Sequence, residues 1–114
     1  MQIIVNKKKY ILSFGMICWE KWFEKTSSYK KEDKPNNIDA LADIIEAAIL
    51  DANEVDRLNQ KPIERQALRK WINQTGTTEE GFKTLTEIEK SLTDMFQYKQ
   101  ALANIGKKKS QPTQ

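Results

Sequence analysis

The sequence predicts an α+β fold, mostly α, in which an N-terminal β-hairpin packs on a bundle of about four helices. Two observations carry this. Residues 2–14 hold two β-branched or aromatic runs on either side of Asn6-Lys7-Lys8, and from Met16 onward the apolar residues change from alternation to spacings of three and four. The first strand is expected over Gln2–Val5. The second, over Lys9–Phe14, alternates Tyr10, Leu12 and Phe14 onto one face, and Asn6, which tolerates positive φ, places the turn at 6–8. A lone hairpin is marginal in water, so a helix must cover its apolar face.

That helix is predicted over about 16–27, with Met16, Trp19, Trp22 and Phe23 as an aromatic stripe packed into the core. A polar loop, Ser27 to Asn37, leads to a second helix over about 37–52, capped by Asn36 or Asn37. Its apolar face is Ile38, Leu41, Ala42, Ile45, Ala48, Ile49 and Ala52, widened by Ile44 and Leu50. The stretch from Asn53 to Lys61 reads equally as more helix or as loop. Pro62 opens a third helix over about 62–74, with Ile63, Ala67, Leu68, Trp71 and Ile72 in period and Gly76 as its stop. Thr77 and Glu80 fit a capping box for a long last helix over about 78–105, ended by Gly106. Residues 1–106 then form a single globular domain, and 107–114, which lack any apolar residue, a flexible basic and polar tail.

The composition argues against an enzyme. With no histidine among 114 residues, the usual general base near neutral pH and the commonest metal ligand are both missing. Cys18, the single thiol, lies in the apolar run 15–19, where a buried and unreactive cysteine is expected. The carboxylate pairs Glu32–Asp33 and Glu79–Glu80 read as loop charge and as a helix cap respectively, not as acid–base dyads. No catalytic residue, cofactor or metal site is expected. The apolar stretch at the N-terminus breaks at Asn6 after five residues, and no span reaches the roughly 18 apolar residues of a membrane helix, so a soluble, unexported chain is the expectation. A net charge of +3, with lysines scattered over 7–9, 30–31 and 107–109, falls short of the concentrated basic face of a nucleic-acid binder.

The opening Gln2-Ile3-Ile4-Val5-Asn6-Lys7, followed by Lys8-Lys9-Tyr10-Ile11-Leu12-Ser13-Phe14-Gly15-Met16, resembles the start of the phage tail assembly chaperones. Members of that family open with a strand, an Asn-Gly or Asn-Lys turn and a K-x-Y-x-L-x-F-G strand entering an aromatic helix; an apolar helix, later helices and a polar C-terminus follow. Lys7 stands where glycine is common. The resemblance implies a non-catalytic protein of the host cytoplasm, in the short form of a frameshifted pair. Its partners would be the tape-measure protein, kept from aggregating by groove or helix-face contacts, and the tail-tube protein, whose subunits it helps to recruit. It also gives meaning to Gly106-Lys107-Lys108-Lys109, whose codons suit a slippery run. Trp71, Tyr98, Lys107, Lys108 and Lys109 are the candidate partner-binding residues, and surplus apolar surface on the first and last helices leaves self-association open. The alternatives are a structural virion component, such as a head-tail connector or tail completion protein, and a small nucleic-acid-binding regulator.

Overall fold

A computed structural model describes residues 1–27 and 37–109, the side chains of 96–109 excepted. The fold is α+β and mostly α: strands β1 (Gln2–Val5) and β2 (Lys8–Ile11), then helices α1 (Met16–Ser27), α2 (Asn37–Val55), α3 (Arg65–Thr75) and α4 (Glu79–Lys109). The expected loop between α1 and α2 and the cap at Asn36 lie outside the described residues, as do the last five positions, 110–114.

The hairpin is tighter than its sequence suggests. Val5 pairs with Lys8 and Gln2 with Ile11 in an antiparallel ladder, so the connection is the two residues Asn6 and Lys7, not three. Both have positive φ, 54° and 66°, as a type I′ turn requires and as the right-handed twist of the strands favours. Lysine at the second position pays a steric penalty that glycine would not. Lys7→Gly is therefore expected to stabilise the fold by about 1 kcal/mol, read as a higher urea midpoint with unchanged slope.

Ile3 and Val5 are buried beneath the hairpin while Ile4 faces out. The second strand ends at Ile11 rather than Phe14, because the chain there leaves β1 for α2: the Leu12 N–H still donates to the Met1 carbonyl, but the Ser13 N–H donates to the Ala48 carbonyl at 3.1 Å. At that exit the outer edge of β2 is closed by a side chain. The Gln60 amide accepts from the Ile11 N–H at 2.6 Å and donates to the Ile11 carbonyl at 3.0 Å. Asn53 in turn holds the Gln60 backbone, donating to its carbonyl and accepting from its N–H, both at 3.0 Å. A glutamine thus stands in for one residue of a third strand.

Several of the expected helix features are corrected by packing. In α1, Cys18 and Trp19 are buried and Trp22 packs on the core, but Met16 and Phe23 are 40% and 50% exposed, so the aromatic stripe is not wholly interior. Phe23 instead stacks on Trp19, with ring centroids 4.9 Å apart. Helix α2 runs three residues past the expected end and stops in a Schellman turn: the Leu58 N–H donates to the Asn53 carbonyl, and Arg57 takes the left-handed φ of 54°. Residues after it are loop, which resolves the Asn53–Lys61 ambiguity. Leu50, expected to widen the core face of α2, is 43% exposed.

Helix α3 begins at Arg65, not Pro62. Extended backbone at Glu64 (φ −57°, ψ 131°) lets Ile63 drop into the core before the first helical bond, Leu68 N–H to Glu64 carbonyl, is made. Gly76 does close α3, but in the right-handed region (φ −70°, ψ −8°), so the stop owes nothing to glycine's access to positive φ. At the next corner Thr78, not Thr77, caps α4, its hydroxyl accepting from the Gly81 N–H at 3.0 Å. The expected reciprocal carboxylate is absent there because Gly81 occupies the position of Glu80 in the predicted box, and the Thr77 hydroxyl donates to Gln74 instead. Gly106 does not end α4, which continues to Lys109, so 107–109 are helix and not the start of a flexible tail.

The core lies where α1, α3 and α4 meet α2. Ala42, Ile45 and Ala48 are fully buried along α2 and cluster with Leu68 and Ile72 of α3, Leu85, Ile88 and Leu92 of α4, and Cys18 and Trp19 of α1. Alanines on the central helix let its neighbours approach closely while the bulkier residues fill the space between them.

Candidate interaction surface

Because α2 is covered on several sides, two of its acids are buried, and each has been turned to use. Asp43 is inaccessible to solvent and forms, with Asp39 and Glu46, a row at helical spacing that faces α1 and α3. Lys25 of α1 approaches Asp43 at 3.3 Å and pairs with Glu46. From α3, Arg65 donates to Asp43 at 2.8 Å and to Glu46 at 3.0 Å, and Arg69 lies 3.6 Å from Asp39. Burial works against the Arg65 cation, but its hydrogen bond to Asp43 and the charges of Glu46, Asp43 and Asp39 outweigh that and hold its pKa above the ordinary guanidinium value. The seam thus fastens α2 to both α1 and α3.

Asp51, also inaccessible, caps α1 from α2. One carboxylate oxygen accepts from the Gly15 N–H at 2.9 Å and from the Cys18 N–H at 2.8 Å. Cys18 is buried, as expected; desolvation, aided by the Asp51 charge, pushes its thiol up to about 12. At neutral pH it holds essentially no thiolate and is no nucleophile. Among the described residues no group of three His, Cys, Asp or Glu side chains could hold a metal ion. Nor is any described helix long and apolar enough to cross a membrane.

What remains accessible is surface relief. Between the end of β1 and α3 runs a groove of about 670 Å³. Its apolar lining is Val5, Ile38, Ala67 and Trp71, and exposed Glu64, Gln66, Lys70, Asn73 and Gln74 line it as well. Trp71 sits half-buried, one side against the core and the other facing the groove. A second, narrower groove of about 310 Å³ separates the start of α2 from the start of α4, lined by Ala40, Leu41, Ile44, Leu85 and Glu89. Phe82 stands beside it, 62% exposed.

Of the residues singled out from sequence, Trp71 is thus placed in a groove. Tyr98, Lys107, Lys108 and Lys109 belong to the far part of α4, and their side chains lie outside the described residues. The Glu32–Asp33 pair lies outside them too, while Glu79 and Glu80 occupy the first turn of α4, where the helix dipole favours negative charge. Sequence reading missed the ionic seam and Phe82. The seam had left a trace, since Asp39, Asp43 and Glu46 follow i, i+4, i+7 on one helix and Arg65 and Arg69 follow i, i+4 on another. Phe82 had none, because its spacing matches the buried residues of α4.

Comparison of the chain with protein-family models, curated proteins and solved structures finds no match. Its functional reading therefore stands on its own residues and on the surfaces just described.

Proposed function

We propose that this protein is a non-enzymatic protein-binding factor, a tail assembly chaperone of a long-tailed phage that acts in the host cytoplasm. It would bind the tape-measure protein and help recruit tail-tube subunits. The observation that carries the binding role is the groove at Trp71: an aromatic anchor backed by core residues and accompanied by exposed polar side chains has the anatomy of a protein-recognition patch. Such a groove could receive a peptide segment that would otherwise expose apolar surface. The phage role draws on the resemblance of residues 2–16, and the order of parts, a hairpin running directly into an aromatic helix, agrees with it.

Co-expression with the tape-measure and tail-tube proteins of the same genome tests the proposal. The full chain is expected to co-purify with the tape-measure protein and to keep it soluble. Trp71→Ala is expected to reduce recovery by about tenfold or more, the loss typical of an aromatic hot spot. The rim change Lys70→Glu should alter recovery with the thermal midpoint unchanged, which separates lost contact from lost fold. Mass spectrometry of purified particles should find the chain absent. Stoichiometric presence there would replace this reading with that of a structural virion component.

A further inference from the structure

We infer that the partner enters the Trp71 groove as an extended, acidic strand that pairs with the open edge of β1. The inference rests on the binding role proposed for that groove and adds the conformation and charge of what it takes. The hairpin has two edges, and among the described residues one of them is closed and the other is not. Its two-residue turn makes Val5 and Lys8 a hydrogen-bonded pair, and the Leu12 N–H donates to the Met1 carbonyl in the same series. Met1, Ile3 and Val5 therefore turn their backbone groups toward β2, and Gln2 and Ile4 turn theirs away from it. On β2 the outward residues are Lys9 and Ile11, and Gln60 satisfies Ile11. The N–H and carbonyl groups of Gln2 and Ile4 have no such partner among the described residues. Nothing in the strand blunts this edge: Gln2-Ile3-Ile4-Val5 holds no charge and no proline, and Ile4 is 58% exposed.

The edge opens where the groove lies. β1 packs against α3 whereas β2 packs against α2, and Val5 and Asn6 line the groove across from Ala67, Lys70 and Trp71 of α3. A strand laid beside β1 alternates its side chains as β1 does. One set falls on the side of Ile3 and Val5, toward the groove, and the other on the side of Ile4 and Lys9, in solvent. In this mode main-chain pairing supplies affinity and the pocket supplies specificity. Charge sets the other half of the pattern. Lys7, Lys8, Lys9 and Lys70 are exposed and have no ion pair among the described residues, while Arg69 is already matched by Asp39 at 3.6 Å. The described groove lining opposes them with one acid, Glu64. The occupant is therefore a segment in which apolar residues alternate with acidic ones; a second copy of this chain offers a β1 without any acid.

Fluorescence anisotropy tests this, with the full chain titrated to about 300 µM into a labelled peptide of about ten residues in which valine and glutamate alternate. Binding is expected, and a peptide with lysine in place of glutamate is expected to bind about tenfold more weakly. N-methylation leaves the protein untouched: blocking one alternate set of peptide amides, the set that faces β1, is expected to weaken binding about tenfold, and blocking the other set to be tolerated. Ile4→Pro removes a donor that makes no bond in the chain itself and is expected to cause a similar loss, whereas Ile4→Thr, which keeps the N–H, stays within about threefold. The urea midpoint reports whether each variant keeps its fold. No anisotropy change across the range overturns the inference, as does a complex indifferent to both methylated sets or to the peptide's charge. Tape-measure protein that co-purifies with Ile4→Pro but is lost with Trp71→Ala would keep the groove as the binding site and remove the strand.

Discussion

Replacing Asp51 with alanine is expected to destabilise the protein by about 3 kcal/mol, seen as a lower urea midpoint with an unchanged slope. The side chain is fully buried, and its accepting oxygen satisfies two amides, Gly15 and Cys18, at the open end of α1. Those N–H groups have no helical partner of their own. Alanine would strand both away from water, remove a negative charge from the positive end of the helix and leave a void where the carboxylate was. The other Asp51 oxygen has no hydrogen-bond partner among the described residues, so the amide nitrogen of Asp51→Asn would find no acceptor there. That variant keeps the oxygen that caps α1 and is expected to lose about 2 kcal/mol, less than Asp51→Ala.

A second readout comes from Cys18, which lies at the same end of α1 with its thiol held protonated. Fraying of this turn in Asp51→Ala should raise its rate of reaction with a thiol reagent beyond the increase that the loss of global stability alone brings. A cost under about 1 kcal/mol for Asp51→Ala would mean that solvent, not Asp51, satisfies the end of α1.

Gly81→Ala is expected to cost about 3 kcal/mol, at the upper end of what overpacking exacts. A Cβ at this position would lie 1.9 Å from the Thr75 carbonyl oxygen, and 2.8 Å from both its carbon and the Thr78 hydroxyl. Thr75 is the last residue of α3 and Gly81 lies in the first turn of α4, so the missing side chain is what lets the two helices turn so sharply. Backbone cannot rotate away as a lysine tip could, and the corner would have to open, pulling Leu85 and Ile88 from the core. Gly76→Ala, five residues earlier, is the control. Its backbone is already near helical and the nearest atom to a new Cβ is 3.4 Å away, so a change within about 0.5–1 kcal/mol is expected, measured by the same urea titration. Equal losses at the two glycines would show that the corner is not as tight as described.

These two residues also mark where the sequence stops being readable. Hairpin and helices are local matters: the β-branched and aromatic runs on either side of Asn6 and the three–four spacing in Ile38 through Ala52 made all six elements legible, although the alternation through Leu12 and Phe14 runs past the end of β2 at Ile11. The Trp71 groove was legible only as one aromatic residue, since the β1 and α2 residues that complete it are distant in sequence. Helix ends were read less well. Gly106 and Gly76 carry the composition of stops, yet one lies inside a helix and the other ends one without the conformation that makes glycine special. A capping box was legible at Thr77-Thr78-Glu79-Glu80, and its register was settled by how closely α3 and α4 approach.

What the sequence determined by itself is therefore the class of fold, the number and order of its elements, and the burial of Cys18, because each follows from periodicity and from the cost of leaving apolar surface in water. What only the tertiary structure decided is the role of the polar groups. Asp43 and Asp51 sit on the most apolar helix, and nothing in the sequence marks their roles until α1 and α3 are laid against it; they then become the seam and the cap. Their partners, Lys25, Arg65, Gly15 and Cys18, lie 18 to 36 residues away. A hydrogen bond satisfied at such separation leaves no period in the chain, and only packing brings its two ends together.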